Sequence, residues 1–115
     1  MGKLENVKCD ANDYKIAITQ LYKNRISEKE QLQNRQNDCS KLIAVYSTNQ
    51  YSAGNPIQKN INMYNELMAE RKQLAIMIEM IKQEAKKLEE IYVMQGFPLD
   101  ELRESVKVKH LMDKN

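Results

Sequence analysis

Apolar residues recur in steps of three and four along most of this chain, a spacing that places them on one side of an α-helix. In residues 13–46 the positions joined by this spacing are Tyr14, Ile18, Leu21, Leu32, Cys39, Leu42 and Tyr46. In residues 56–95 they are Ile57, Asn60, Tyr64, Leu67, Arg71, Leu74, Ile78, Ile81, Ala85, Leu88 and Tyr92. The pattern predicts two long helices with coiled-coil-like seams.

Turn-forming residues separate the two predicted helices. Residues 47–55 are polar and contain a glycine, so they are expected to form a loop. Asn55 is a typical N-cap, and Pro56 suits the first position of the second helix because its fixed φ is already helical. Residues 1–12 mix apolar residues with helix breakers, and we expect them to fray.

A glycine and a proline mark the end of the second helix. Gly96 is a typical left-handed stop, Phe97 is expected to fold back onto the last helical turn, and Pro98 cannot continue the helix. A short third helix is predicted at 99–112. The alternation in Val106–Lys109 is equally compatible with a strand.

Two long helices joined by a short loop most economically form an antiparallel hairpin. Centring the turn near Tyr51 places Arg25 opposite Ile78 and Glu28 opposite Leu74 or Ala75. The middle of the first helix is therefore polar where the second helix is most apolar. A hairpin with this register leaves apolar side chains uncovered.

The segment 74–81 is the clearest sign of a partner, because seven of its eight residues are apolar. Eight residues are far fewer than the roughly 20 that span a bilayer, so no membrane insertion is expected. Self-association would cover the segment, most simply as a two-fold dimer that forms a four-helix bundle. The expected oligomer interface comprises Leu74, Ile76, Met77, Ile78, Met80 and Ile81.

Polar residues interrupt both seams. Arg25, Glu28 and Arg71 fall on seam positions, where a polar group penalises wrong registers. Glu28 is expected to reach Arg71 across the hairpin. The alternative is that the arginine stems lie along the helices and carry their head groups to water.

Composition narrows the class of protein. The 115 residues include 30% charged residues but only three Gly and two Pro, as in helix-rich domains. The 18 basic and 16 acidic residues form no basic block, which disfavours nucleic-acid binding. Cys9 and Cys39 are too far apart along one helix to pair, and no secretory signal is visible, so we expect free thiols and a cytoplasmic, reducing location.

No catalytic, cofactor-binding or metal-binding constellation is apparent. His110 lies near Glu104 and Asp113 but lacks a nucleophile in a supporting turn. Glu66 and Glu70 are one helical turn apart, yet the Glu-x-x-His pattern of bundle metal sites is missing. We therefore expect a protein that is not an enzyme, with no cofactor and no small-molecule substrate.

The stretch Tyr92–Lys109 resembles the opening half of the helix-turn-helix in sigma-factor-like regulators, through Gly96, Leu99, Glu101 and Leu102. The resemblance covers about 18 residues and implies DNA contact. It departs from the family pattern where Arg103 replaces a small residue, and six residues follow Lys109. The possible nucleic-acid contacts are Arg103, Lys107, Lys109 and His110.

Together these patterns predict an all-α, single-domain helical hairpin with a short C-terminal helix, assembled as a homodimer. The leading hypothesis for function is a protein–protein interaction module that self-associates through the second helix and binds another macromolecule. Adaptor, assembly factor and inhibitor are all compatible with it. The alternative is a dimeric nucleic-acid-associated regulator that uses the C-terminal cationic face.

Overall fold

The computed structural model describes the backbone of residues 10–114 and the side chains of residues 10–107. The described chain is all-α, as predicted, with helices α1 (Ala11–Ser47), α2 (Gln58–Met94) and α3 (Leu99–Lys114). The long helices α1 and α2 form a hairpin. The fraying predicted for residues 1–12 falls almost wholly outside the described residues.

A small β-hairpin, absent from the sequence prediction, connects α1 to α2. Strands β1 (Tyr51–Ser52) and β2 (Asn55–Pro56) pair antiparallel. Between them Ala53 and Gly54 have φ of 52° and 83°. Positive φ at both central residues is the geometry of the tight turns that suit paired strands, and Gly adopts it without steric penalty.

The start of α2 differs from the predicted N-cap. Asn55 and Pro56 belong to β2, and the helix begins at Gln58. The carbonyl of Ile57 accepts the backbone N–H groups of Asn60 and Ile61, each at 3.0 Å. Pairing with β1 holds Asn55 in an extended ladder, so the capping position moves two residues along the chain.

Contacts divide the chain into two compact units, and each unit takes a part of both long helices. Unit 1 comprises Met1–Ser27 with Gln83–Asn115, and unit 2 comprises Glu28–Lys82. Each unit has its own apolar core.

The core of unit 2 consists of Cys39, Ile43, Leu67 and Leu74. The predicted α2 seam is confirmed here, since Leu67 and Leu74 are both buried. On α1 the seam advances by four residues from Cys39 to Ile43, and the expected seam residue Leu42 is 39% exposed.

The core of unit 1 consists of Ile18, Tyr22, Ala85, Tyr92 and Leu102. The same one-residue difference occurs on α1, because Tyr22 is buried and the predicted Leu21 is 47% exposed. Tyr14, also expected on the seam, is 40% exposed. The three-and-four pattern alone does not decide between neighbouring positions when both are apolar.

The turn between α2 and α3 has the predicted helix-stop geometry. Gly96 has φ 86°, and its N–H donates to the carbonyl of Val93. The N–H of Phe97 donates to the carbonyl of Tyr92, and the two rings lie with centroids 5.1 Å apart. These paired bonds define a Schellman C-cap, which aims α3 back toward the core of unit 1.

Leu102 is the residue through which α3 enters that core, and it has no exposed surface. Leu102→Ala should lower the free energy of unfolding by about 3 kcal/mol, because it removes buried methyl groups and leaves a cavity. Urea titration followed by circular dichroism measures the change. The control Val93→Ala, at a residue that is 50% exposed, should change stability by less than about 1 kcal/mol. Equal effects of the two substitutions would contradict this role for Leu102.

Candidate interaction surface

The apolar segment 74–81 is split between the inside and the outside of α2. Leu74, Ile78 and Ile81 are buried, at 6, 6 and 7% exposure. The expectation that these three residues stay uncovered by their own chain is therefore wrong. Half of the expected oligomer interface is already used inside the hairpin.

The polar middle of α1 is less exposed than its composition suggests. Lys29 and Gln33 are half-buried, as is Leu32, which packs against the core of unit 2. Long polar side chains bury their aliphatic stems and keep their polar ends in water. The contacts of Arg35 with Glu70 and of Arg71 with Ser40, described below, pair each α2 residue with an α1 residue of higher number than predicted. The α1 residues that face the segment therefore differ from those expected.

The remaining large side chains of the segment point outward. Ile76, Met77 and Met80 are 54, 40 and 57% exposed. Residues three and four apart are neighbours on a helix surface, so Met80 lies beside both of the others. We call these three residues the outer patch. It is the part of the predicted interface that remains available to another molecule.

Two of the interrupting seam residues, Arg25 and Arg71, contact polar residues on the other long helix. The guanidinium of Arg25 lies 3.8 Å from the carboxylate of Glu84. Arg71 donates to the hydroxyl of Ser40 at 3.4 Å. Because Ser40 is about 18 Å along α1 from Glu28, the structure directs Arg71 away from the expected Glu28 contact.

A two-pronged ion pair joins α1 to α2 within unit 2. Arg35 donates to both carboxylate oxygens of Glu70, at 2.5 and 2.8 Å, and this contact lowers the pKa of Glu70. Glu70, which lies one helical turn from Glu66, is thus bound by an arginine. Cys39 is a free, fully buried thiol whose pKa is raised by burial.

The residues of the nucleic-acid alternative are partly neutralised by their own chain. Arg103 lies 3.1 Å from a carboxylate oxygen of Glu89, and Lys107 lies 3.6 Å from Glu104. The side chains of Lys109 and His110 lie outside the described residues. An ion pair within the chain competes with phosphate for the same cation, so these contacts weaken the case for a nucleic-acid surface.

A polar network secures α3 in unit 1. Glu89 on α2 accepts the hydroxyl of Tyr22 on α1 at 2.6 Å and the guanidinium of Arg103 on α3 at 3.1 Å. Nearby, Lys15 on α1 forms an ion pair with Glu101 on α3. Burial, and then the hydrogen bond to Glu89, raise the pKa of Tyr22 to about 12.

These contacts were not predicted from the sequence. Tyr22 and Glu89 are 67 residues apart, and periodicity on one helix gives no pairing between helices. The sequence gives only a weak indication that Tyr22 is buried, namely its position next to the expected seam residue Leu21.

Comparisons with protein families, curated proteins and solved structures find no match to this chain. Among residues 10–114 no helix is both long and apolar enough to cross a membrane. Among the side chains of residues 10–107, no group of three His, Cys, Asp or Glu could hold a metal ion. The outer patch is one of the exposed apolar surfaces of the described residues.

Tyr22→Phe should lower the free energy of unfolding by about 1 to 2 kcal/mol near neutral pH, since it removes a hydrogen bond to a carboxylate. The folded state raises the pKa of Tyr22 from 10.0 to about 12. The stabilisation is therefore complete below pH 10 and is lost as the pH rises toward 12. Urea titrations across this range should show the difference between wild type and variant closing.

The matched control is Tyr14→Phe, which alters a tyrosine that is 40% exposed. It should change stability little, and equally at every pH. A wild-type advantage over Tyr22→Phe that persisted above pH 12 would contradict the assigned hydrogen bond.

Proposed function

We propose that this protein is a non-enzymatic protein–protein interaction module that self-associates through the outer patch of α2. The observation that carries the proposal is the exposure of Ile76, Met77 and Met80, at 54, 40 and 57%, side by side on one helix. Adaptor, assembly-factor and inhibitor roles all fit a module of this kind. The free thiol of Cys39 suits a reducing compartment such as the cytoplasm.

A second copy is the occupant we propose for the patch. A two-fold axis brings the same surface of each chain together, so an apolar patch is automatically matched with an apolar patch. Antiparallel crossing of two α2 helices places Ile76 of each copy against Met80 of the other. Methionine side chains are flexible and fill the gaps that such a crossing leaves.

The size of the patch sets the strength of the proposed dimer. Burying three half-exposed side chains on each of two chains gains about 5 to 9 kcal/mol. Loss of translational and rotational freedom on association costs roughly 4 to 15 kcal/mol. The two ranges overlap, so the dimer should be weak and reversible rather than obligate. Its formation depends on the concentration of the protein.

Ile76→Glu should abolish self-association, because a carboxylate placed within the patch must be desolvated twice in a symmetric dimer. Sedimentation velocity, run from low micromolar to near-millimolar protein, measures the loss. Because Ile76 is exposed in the single chain, the helical circular dichroism and the unfolding midpoint should stay close to wild type.

Val45→Glu is the matched control, since Val45 is a β-branched residue on α1 with 53% exposure. It should associate like wild type. By contrast, Ile78→Asp should destabilise the fold itself, because Ile78 is 6% exposed. A wild-type protein that stayed monomeric over the whole concentration range, or an Ile76→Glu variant that still associated, would refute the proposed self-association.

A further inference from the structure

Two of the three residues of the outer patch are methionines, and this gives the proposed association a chemical switch. We propose that oxidation of Met77 and Met80 to the sulfoxide, by a peroxide-class oxidant, turns off self-association through α2. The inference rests on the proposed function. It assigns Met77 and Met80 as a modification site that controls it.

The chemistry is a two-electron oxygen transfer. The thioether sulfur attacks one oxygen of hydrogen peroxide, a sulfur–oxygen bond forms and the oxygen–oxygen bond breaks. The second oxygen leaves as water, so sulfur is oxidised and peroxide is reduced. The product is a polar, chiral side chain in place of a flexible apolar one.

Exposure makes the patch methionines accessible to an oxidant. Met77 and Met80 are 40 and 57% exposed, and Met68 is 37% exposed, whereas Met63 is packed against the core of unit 2. The sulfur of Met68 accepts a hydrogen bond from the guanidinium of Arg71 at 3.5 Å, so one of the sulfur lone pairs is engaged. Cys39 is fully buried, and its raised pKa favours the protonated thiol, which is less reactive than the thiolate.

Association and oxidation compete for the same two side chains. A docked patch shields its sulfur atoms from peroxide, so oxidation proceeds through the free chain. Once oxidised, each sulfoxide oxygen must be desolvated for the patches to meet, and the apolar interface offers it no donor. We expect oxidation of both residues to lower the association constant by about tenfold or more.

The test treats the full chain, in a Cys9→Ser background, with hydrogen peroxide and follows each methionine by peptide mass spectrometry. Met94, 81% exposed and outside the patch, serves as an internal reference. Raising the protein concentration should slow oxidation of Met77 and Met80 relative to Met94. Sedimentation velocity of the oxidised protein should then show a shift to monomer, and methionine sulfoxide reductase should restore association.

A double variant, Met77→Leu with Met80→Leu, is the matched control. Leucine has a similar volume but cannot be oxidised, so this variant should associate and should ignore peroxide. Association that survives oxidation at both positions, or a leucine variant that remains peroxide-sensitive, would overturn the switch while leaving self-association intact. Absence of association before any oxidant is added would overturn the proposed function and the switch together.

Discussion

The structure depends on packing the heptad seam of α2 against α1. The second helix supplies a regular row of apolar side chains, whereas α1 supplies apolar residues mainly toward its ends. The cores reflect this imbalance: Ile18 and Tyr22 serve unit 1, and Cys39 and Ile43 serve unit 2. In between, the polar side chains of Lys29 and Gln33 are half-buried, and Ile78 on α2 is buried.

Polar contacts between the helices add to the stabilisation that these small cores provide. In unit 1 the buried Tyr22 hydroxyl donates to Glu89, which also receives Arg103, so one carboxylate connects all three helices. In unit 2 the Arg35–Glu70 pair joins the two helices at the surface. Among the described residues no buried side-chain nitrogen or oxygen lacks a hydrogen-bond partner. Unpaired polar groups inside such narrow cores would be costly, which makes this complete pairing a condition of the fold.

Sequence periodicity predicts the parts of the fold that depend on a single helix. The α2 seam and the Gly96 stop follow from local spacing and local turn chemistry, and both are confirmed. The prediction is wrong where two apolar neighbours compete for one seam position, as Leu21 and Tyr22 do. It also misses the hairpin turn at Ala53–Gly54, because strand pairing of Asn55 overrides its capping preference.

Contacts between helices are harder to predict, for a physical reason. A one-turn change in register keeps every apolar residue on the seam yet replaces every polar partner. Arg71 shows how far a polar partner can differ, since it contacts Ser40, more than three helical turns along α1 from the expected Glu28. The outer patch was partly predictable, because an apolar run of eight residues exceeds what one seam can bury. Predicting which of these residues face outward would have required the register of the hairpin.

A helix with a buried seam and a second, smaller apolar surface has a particular thermodynamic consequence. The seam fixes the fold of each chain, so the patch is free to vary in affinity without loss of the folded state. Three exposed side chains are too few for an obligate interface, which usually buries a far larger area. A change of about 1.4 kcal/mol in binding free energy alters an association constant tenfold. For a contact of marginal strength, such a change moves the balance between free and associated chains. If two chains associate through the outer patch as we propose, a small chemical change at Met77 or Met80 that leaves the fold intact would be large enough to shift that equilibrium.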